Sequence, residues 1–286
     1  MTKIYCGHNS ASKNPACTCF PQIQTAFMKI HPTAIIDKNA KLGTNVEVGP
    51  YSIIEGDVEI GDNCWIESCV KIYSGTRMGK NNKIHHTAIV GGPPQDLSFK
   101  LETKTYTIIG DDNVIREGVI LHRATKEGKA TTLGNRNYLM GQTHIAHDCI
   151  LGDDVIMVLN GQIAGHCVIG NKVFISGLTG LHQFCKVGDY AMLAGCSKIV
   201  KDVPPFVTID GNPATVIGLN SVGLKRAGFA GPAREKIKQT YKTIYHSGMN
   251  VSQALKVLKE QNDPDPNVQY IVRFFEESDR GVTDHR

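Results

Sequence analysis

The sequence predicts a mainly β fold, a parallel β-helix built from six-residue repeats and followed by a small α-helical C-terminal domain. Two patterns predict it: aliphatic–glycine pairs recur at multiples of six residues, and apolar residues change to helical spacing after residue 221. The chain has 286 residues, 41% of them hydrophobic and 20% charged, which is typical of a soluble globular protein with a sizeable core.

Composition and charge exclude several classes of protein. The net charge is only +4 and no concentrated basic run occurs, so neither nucleic acid nor a membrane surface is an expected partner. No apolar stretch is long enough to cross a bilayer, so we expect no stable membrane insertion. Nine cysteines without an export signal predict reduced thiols and a cytoplasmic location. The sequence has no phosphate-binding glycine loop, and we expect no cofactor.

Residues 1–27 differ from the rest of the chain. They contain no Asp or Glu, and they lack the apolar segment of a secretory signal. A strand-like pattern begins at Met28, in the run MKIHPTAII. We therefore expect residues 1–27 to be a disordered extension.

The β-helix predicted for residues 28–220 depends on the spacing of the aliphatic–glycine pairs. Their aliphatic members are Leu42, Val48, Ile60, Met78, Ile109, Leu133, Leu151, Ile169 and Val187. The intervals are 6, 12, 18, 31, 24, 18, 18 and 18 residues, so all but one are multiples of six. We expect three sides per 18-residue coil, with aliphatic residues inward and glycine giving the backbone its freedom at the corners. The interval of 31 predicts a loop within residues 91–107, where function is expected.

The helical domain predicted for residues 221–286 follows from a change of period. Apolar residues at helical spacing occur within 237–245 and 251–258, and again within 268–275 after the breaker at residues 263–266. A solenoid needs its ends capped and its exposed faces covered, so we also expect a homo-oligomer.

The run HIAHDC, residues 144–149, combines two histidines, an aspartate and a cysteine. Residues 18 apart lie above one another in consecutive coils. Cys149, Cys167 and Cys185 form such a column, and strand alternation points it inward. We interpret these cysteines as core residues and expect no metal site there.

The neighbouring columns predict a site on the outside of the same coils. His147 shares a column with Gly165 and Gln183, and alternation points this column outward. With His144, His166 and His182, four of the eleven histidines lie on one side of three consecutive coils. Zinc enzymes of this architecture use an H-x4-H pair, which is absent here, so metal binding is a minor alternative.

Acid–base catalysis is the favoured interpretation of this cluster. His147 is suited to act as a general base, and Asp148 to hold its ring in one tautomer. The N–H of Gly165, one coil away, is suited to stabilise an oxyanion, as acyl transfer requires. No serine or cysteine is convincingly paired with a base, which favours direct attack by the acceptor over an acyl-enzyme.

The motifs resemble one family closely. These are HIAHDC, IAGH at 163–166, LHQFC at 181–185, DVPPF at 202–206, GNPAT at 211–215 and GLKRAGF at 223–229, with PQDL at 94–97 and SDRGV at 278–282. They are similar, in order from about Met28 onward, to the acyl-[acyl-carrier-protein]–UDP-N-acetylglucosamine O-acyltransferases, which catalyse the first step of lipid A synthesis. The resemblance implies a homotrimer of left-handed parallel β-helices with active sites between subunits. It also implies transfer of an (R)-3-hydroxyacyl chain from acyl carrier protein to the 3-position of the UDP-sugar.

The resemblance implies a role for individual residues. The catalytic set is His147, Asp148 and Gly165. The residues near the sugar are Gln95, Asp96, His166, His182 and Gln183, and those at the nucleotide end are His144, Asn220 and Arg226. The acyl chain would pass residues 194–198, where Gly195 leaves room and Lys198 replaces a commonly small residue. We therefore expect Lys198 to shorten the accepted chain.

Several positions depart from the family pattern. Many relatives have lysine where this chain has Ser98, with Lys100 two residues further on, and Val222 and Ala227 also differ. Some relatives acylate a 3-amino UDP-sugar and form an amide, so this acceptor remains an alternative. A hexapeptide acetyltransferase that uses acetyl-CoA, the later N-acyltransferase of lipid A and a non-catalytic scaffold are further alternatives. An acidic carrier protein is expected to meet the basic residues Lys225, Arg226, Lys236, Lys238 and Lys242.

Overall fold

The computed structural model describes residues 30–286, so the extension predicted for residues 1–27 lies outside the described part. Three sheets of short strands make up most of the fold. The first sheet contains, in order, β1 (Ile35–Ile36), β4 (Ile53–Ile54), β7 (Lys71–Ile72), β10 (Ile89–Gly92), β13 (Ile120–His122), β16 (His144–Ile145), β19 (Gln162–Ile163), β22 (Gly180–Leu181) and β25 (Lys198–Ile199). The second contains β2 (Lys41–Leu42), β5 (Val58–Ile60), β8 (Thr76–Met78), β11 (Tyr106–Ile109), β14 (Ala130–Leu133), β17 (Ile150–Leu151), β20 (Val168–Ile169) and β23 (Lys186–Val187).

The third sheet runs along the remaining side. It contains β3 (Glu47–Val48), β6 (Trp65–Ile66), β9 (Lys83–Ile84), β12 (Val114–Ile115), β15 (Tyr138–Leu139), β18 (Ile156–Met157), β21 (Phe174–Ile175), β24 (Met192–Leu193), β26 (Val207–Gly211) and β27 (Ala214–Leu219). Strands one coil apart pair in parallel with an 18-residue register, as His144 with Gln162. The inward aliphatic residues are buried, including Ile145 and Ile163 at 1% and 0% exposure. The predicted fold class, a parallel solenoid with a small helical part, is therefore confirmed.

The corners of the coils contradict the role expected of glycine. Backbone φ is positive at six-residue intervals, and most of these residues are not glycine; Asp148 (59°), Asp154 (58°) and Asn160 (59°) are consecutive examples. The glycines of the aliphatic–glycine pairs have no positive φ. A Cβ at Gly61 would instead lie 2.7 Å from the carbonyl carbon of Gly79 in the next coil. Glycine is needed because the coils approach closely, whereas the left-handed corners are formed by residues of many types, from Asn and Asp to Tyr and Phe.

Two segments leave the coils. Residues 93–105, between β10 and β11, form the loop that the interval of 31 predicts. Residues 123–129, between β13 and β14, form an insertion that the spacing does not reveal. Ile109 pairs with Leu133, so these two residues are one coil apart. Their interval of 24 residues is therefore one 18-residue coil plus six inserted residues. The two segments contact each other, since the Lys104 N–H donates to Glu127 Oε2 at 3.0 Å.

The solenoid ends in an antiparallel hairpin of β26 and β27. The helices that follow are α1 (Ser221–Arg226), α2 (Gly231–His246), α3 (Val251–Gln261) and α4 (Pro266–Glu276). Asn250 forms a capping box with Gln253 at the start of α3, and proline stands in the first turn of α2 and α4. Between residues 30 and 286, no helix has both the length and the apolar character to cross a membrane.

Residues 277–286 are not helical, in contrast to the helical range expected up to residue 286. They return to the last coil of the β-helix, where Val282 pairs with Asp202 and His285 with Val216. We call residues 277–286 the C-terminal tail. It brings the end of the chain to the face that carries the histidines.

Candidate active site

The first sheet positions the histidine cluster. The strands β16, β19 and β22 lie side by side, and each ends three residues before a left-handed corner. The corner residues that follow are Asp148, His166 and Phe184, with φ of 59°, 61° and 67°. The register therefore stacks them, as the 18-residue spacing predicts.

His147 and Asp148 form a hydrogen-bonded pair at the corner after β16. The His147 Nδ1 lies 2.8 Å from the Asp148 Oδ2, and the side chains are 16% and 12% exposed. An ionised carboxylate only accepts hydrogen bonds, so the neutral ring carries its proton on Nδ1 and a lone pair on Nε2. This is the arrangement of a general base oriented by a carboxylate.

The inserted segment 123–129 holds the Asp148 carboxylate from the other side. Thr125 donates to Asp148 Oδ2 from its hydroxyl at 2.7 Å and from its N–H at 3.1 Å. Burial favours the neutral acid, but hydrogen bonds from Thr125 and His147 outweigh it and keep the pKa of Asp148 below its usual value. Asp148 is therefore ionised at neutral pH. Sequence reasoning missed Thr125 because its insertion has the same length as the repeat.

Gly165 lies directly below the His147 ring. A Cβ at residue 165 would be 2.6 Å from His147 Cε1 and 2.9 Å from Nε2, so any side chain would displace the ring. The Gly165 N–H makes no hydrogen bond to another residue between 30 and 286. A free backbone donor thus lies one coil from the lone pair of the base, which is the geometry acyl transfer requires.

His166 completes the corner. Its ring contacts that of His147 edge-on, with centroids 5.2 Å apart, and stacks on Phe184 at 4.6 Å. Its Nε2 lies 3.7 Å from Asp148 Oδ2. Gln183 is exposed in the next coil of the His147 column. The structure thus brings His147, Asp148, Gly165 and His166 together as predicted.

Three of these side chains also satisfy the spacing of a metal site. Ligand atoms of His147, Asp148 and His166 lie within 4.8 Å of one another. Asp148 Oδ2, the oxygen shared by both rings, already accepts hydrogen bonds from Thr125 and His147. That oxygen would lose these donors on binding an ion, so the donor set fits a hydrogen-bonded dyad better than a closed zinc site.

The cysteine column lies inside the coils. Cys149, Cys167 and Cys185 are all 0% exposed, and burial raises the pKa of the Cys185 thiol to about 12. All three thiols are shielded from solvent, which makes them unsuitable as nucleophiles.

A second histidine pair lies one coil before the dyad. His122, which sequence reasoning missed, contacts the His144 ring edge-on with centroids 5.1 Å apart. Its Nδ1 donates to the Pro93 carbonyl at 2.6 Å, and the buried Nε2 atoms of both rings lack a hydrogen-bond partner among the described residues. Burial lowers the pKa of His122, and burial together with neighbouring His122 lowers the pKa of His144 to about 4. Both rings are therefore neutral at physiological pH.

The loop 93–105 contacts the second histidine pair through His122. His122 holds its first residue, Pro93, and the Arg123 guanidinium lies over the Phe99 ring at 5.5 Å. Asp96 accepts hydrogen bonds from the N–H and hydroxyl of Ser98, both at 2.8 Å. These bonds lower the pKa of Asp96, with smaller contributions from His147 and His166.

Gln95 and Lys100 are exposed in the same loop. The side-chain partner of Asp96 is the Ser98 hydroxyl.

His182 lies one coil beyond, on the same face. Its Nδ1 is 2.9 Å from a guanidinium nitrogen of Arg280 in the C-terminal tail. Arg280 also lines a cavity of about 510 Å³ whose opposite wall includes His166 and Phe184. The tail therefore contributes to the surroundings of the site.

The remaining predicted residues lie elsewhere on the chain. Asn220 caps α1 and donates to the Tyr190 carbonyl at 2.9 Å, at a different corner of the coil, and Arg226 ends the same helix. Gly195 and Lys198 lie at the far edge of the first sheet, around the corner at Cys196. Within residues 30–286, no hydrogen bond or ring contact joins any of these to the dyad.

Comparisons with known proteins agree with this geometry. Residues 202–283 match a family model described as UDP N-acetylglucosamine O-acyltransferase, domain 2. The acyl-[acyl-carrier-protein]–UDP-N-acetylglucosamine O-acyltransferase of Paraburkholderia phymatum is 41% identical over 259 residues, which span 89% of this chain and 98% of that protein. The enzyme of the same name from Halorhodospira halophila is 42% identical over 255 residues, again 89% of this chain and 98% of the relative.

Solved structures give the same result. UDP-N-acetylglucosamine O-acyltransferase from Moraxella catarrhalis has a TM-score of 0.86 at 40% identity and covers 90% of this chain and 100% of its own. The Acinetobacter baumannii structure has a TM-score of 0.85 at 42% identity, with 89% and 99% covered. The resemblance predicted from the motifs is confirmed: the chain belongs to the acyl-[acyl-carrier-protein]–UDP-N-acetylglucosamine O-acyltransferase family.

Proposed function

We propose that this protein transfers an (R)-3-hydroxyacyl chain from acyl carrier protein to the 3-hydroxyl of UDP-N-acetylglucosamine, the first step of lipid A biosynthesis. The observation that carries the proposal is the His147–Asp148 dyad above the free N–H of Gly165. Family membership at 41% identity over nearly the whole chain supports the substrates.

The dyad supports direct transfer without an acyl-enzyme. Nε2 of His147 takes the proton of the sugar 3-hydroxyl as its oxygen attacks the thioester carbonyl. The carbonyl oxygen becomes an oxyanion, and the Gly165 N–H stabilises it. When the intermediate collapses, the C–S bond breaks and the thiolate takes the proton back from the His147 imidazolium. Asp148 remains ionised and stabilises that imidazolium.

The arrangement of the sugar and nucleotide residues supports a homotrimer. Asn220 and Arg226 lie at the corner marked by Tyr190, whereas the dyad lies at the corner marked by Phe184. A rigid coil cannot bring two of its own corners together. A neighbouring copy related by cyclic symmetry provides the missing corner, which places the active site between subunits.

The remaining parts of the proposal concern the carrier protein and the location of the enzyme. The basic residues of α1 and α2, which are Lys225, Arg226, Lys236, Lys238 and Lys242, form the proposed contact with an acidic carrier protein. Lys236 is already paired with Asp263 at 2.8 Å, so Lys238 and Lys242 are the better candidates in α2. The substrates are those of the bacterial cytoplasm, which is the proposed location.

The 3-amino UDP-sugar is the second candidate acceptor. Ser98 replaces a lysine common among relatives and donates its hydroxyl to Asp96. The loop therefore offers the acceptor a hydroxyl and a carboxylate, and Asp96 is suited to contact an ammonium group. This single observation keeps the amide-forming reaction as the alternative.

A turnover assay tests the function. The enzyme would be offered 3-hydroxyacyl carrier proteins of several chain lengths with UDP-N-acetylglucosamine, its 3-amino analogue, or neither. Turnover of the hydroxyl sugar supports the proposal, and turnover of the amino sugar alone replaces it with the alternative. Turnover only with acetyl-CoA would move the protein to the acetyltransferases. A parallel reaction with EDTA tests the metal interpretation, since loss of activity would contradict the dyad mechanism.

Lys198 provides a prediction about chain length. It is exposed on β25, in the strand column that contains His144 and Gly180. A lysine here places a charged side chain where a long acyl tail would pass, so Lys198→Gly is expected to shift the preference toward longer chains by about tenfold, the effect of a few buried methylenes. Competition between carrier proteins of two chain lengths measures the ratio. An unchanged ratio would refute this role.

A further inference from the structure

The C-terminal tail is anchored on both sides of Arg280. Before it, the Ser278 hydroxyl donates to Asp202 Oδ2 at 2.7 Å. After it, the Asp202 N–H donates to the Gly281 carbonyl at 2.9 Å, and the Thr283 N–H donates to the Asp202 carbonyl at 2.8 Å. Asp202 is 0% exposed. The position of Arg280 is therefore fixed by a buried residue of the last coil rather than by a mobile chain end.

Arg280 contacts two adjacent coils, those of His182 and Val200. Its Nε donates to the Val200 carbonyl at 2.8 Å, and a terminal nitrogen lies 2.9 Å from His182 Nδ1. The first bond orients the guanidinium plane. The second determines whether His182 Nδ1 donates or accepts a hydrogen bond. Arginine only donates hydrogen bonds, so Nδ1 must accept and the proton of the neutral ring must be on Nε2.

The same Nδ1 has a competing partner. The Gln183 carbonyl lies 3.2 Å from it and can only accept, so this contact requires the proton on Nδ1. The two contacts therefore demand opposite tautomers. With Arg280 in place, the shorter, charge-assisted bond selects the ring with its proton on Nε2. Without it, the Gln183 carbonyl would draw the proton to Nδ1.

We propose that Arg280 is a positioning residue that sets the tautomer of His182, so that Nε2–H is a donor to an acceptor oxygen of the nucleotide sugar. The role of His182 near the sugar rests on the proposed function. Phosphate and amide carbonyl oxygens are the groups of a UDP-N-acetyl sugar that only accept. A cavity of about 510 Å³ that Arg280, His166 and Phe184 line lies next to His182 along the chain and has room for such a group, although His182 itself is not part of its lining.

Kinetics of single and double variants test the role. Arg280→Met removes the donor and keeps the length of the side chain. We expect it to raise KM for the UDP-sugar about tenfold, because one hydrogen bond to an acceptor is lost, and to change kcat and KM for the acyl carrier protein less than twofold. Arg286→Met, the same change at an exposed position of the same tail, is the matched control and should match the unaltered enzyme. Arg280→Lys retains a donor and should restore most of the loss.

The double variant separates a role through His182 from a direct one. Once His182 is alanine, Arg280→Met should have no further effect on KM. A further increase would mean that Arg280 contacts substrate directly and would overturn the proposal. A rise in KM for the acyl carrier protein instead of the sugar would overturn it as well.

The tautomer itself can be measured without any turnover. In histidine-labelled trimer, nitrogen and carbon shifts of the His182 ring, assigned with His182→Ala, should report the proton on Nε2, and on Nδ1 in Arg280→Met. A proton on Nδ1 in the unaltered protein would refute the proposal even if the variant fails to fold. The predicted tautomer in a protein without sugar turnover would instead assign the failure to the proposed function.

Discussion

Two pairs of histidines on one face of the β-helix have nearly the same ring geometry and different chemistry. His122 and His144 meet edge-on at 5.1 Å and 90°, and His147 and His166 at 5.2 Å and 85°. Among residues 30–286, only the second pair has a carboxylate, that of Asp148, within 4 Å of both rings. Contact between imidazoles therefore does not make a base. A histidine is suited to act as a general base when the fold holds an ionised carboxylate beside its ring.

The first pair shows what the same residue becomes without that carboxylate. Burial makes the charged form of His122 and His144 unfavourable and lowers the pKa of both. Neutral rings beside the loop 93–105 are suited to donate and accept hydrogen bonds, and unsuited to hold a proton taken from a substrate. We therefore infer that the first pair is a binding and anchoring element, whereas His147 is the proposed base.

The variant with the largest expected effect directly tests the difference in role between the two histidine pairs. His147→Gln and His144→Gln make the same change in the two pairs. We expect His147→Gln to lower kcat by about 10³-fold, the usual range for loss of a general base, and His144→Gln to raise KM for the UDP-sugar about tenfold with a smaller change in kcat. Steady-state kinetics with each substrate varied in turn measure both.

The two variants serve as controls for each other, since each removes one imidazole from the same face. Circular dichroism and the elution volume in size-exclusion chromatography must be unchanged in both. Equal losses of kcat in the two variants would remove the distinction between the pairs.

The sequence predicted that His147 lies over Gly165, and it also marked His144, but it did not reveal His122 as the partner of His144, for a physical reason. The six-residue period placed His147 over Gly165 because both lie in uninterrupted coils. His122 precedes an insertion of six residues, and a repeat cannot reveal an insertion of its own length. Allowing for that insertion, the pairing of Leu121 with Ile145 places His122 beside Ala146 and in the column of His182.

Other features lay beyond any periodic argument. The close approach of coils, rather than φ, explains the repeated glycines, and only backbone coordinates separate the two. Arg280 and His182 are 98 residues apart, and their contact depends on how the tail returns to Asp202. The six-residue period of the sequence predicted which residues stack in consecutive coils. The contacts made by segments outside that period became visible only in the structure.

The next largest effect is expected at Thr125. This residue holds the carboxylate of Asp148, which distinguishes the second histidine pair from the first. Thr125→Val removes the hydroxyl donor to Asp148 and keeps the backbone N–H donor and the shape of the side chain. We expect kcat to fall about tenfold, because the carboxylate loses one charge-assisted bond and orients His147 less well. KM for both substrates should change little.

Thr125→Ser is the matched control, because it keeps the hydroxyl and removes only the methyl group. It should retain most of the activity. Equal losses in the valine and serine variants would mean that Thr125 acts through packing, and no loss in either would show that His147 alone suffices to position Asp148.

The smallest expected effect concerns stability, and it arises from the first pair. The pKa of His144 falls from an ordinary 6.5 to about 4 in the folded chain. Between these values the unfolded chain binds more protons than the folded one, so this contribution to stability is complete above pH 6.5 and is lost as pH falls toward 4. One pKa unit corresponds to about 1.4 kcal/mol. Because solvent reaches part of the ring and screens this effect, on the order of 1 kcal/mol should be lost between pH 7.5 and pH 5.

Urea unfolding at these two pH values, at one protein concentration, measures the loss. His144→Gln has no group to protonate, so its free energy of unfolding should fall less over this interval than that of the unaltered protein. The pKa of Asp148 is already below its ordinary value, so its titration falls outside this window. If His144→Gln kept the full pH dependence of the unaltered protein, His144 would not be the group responsible for the loss.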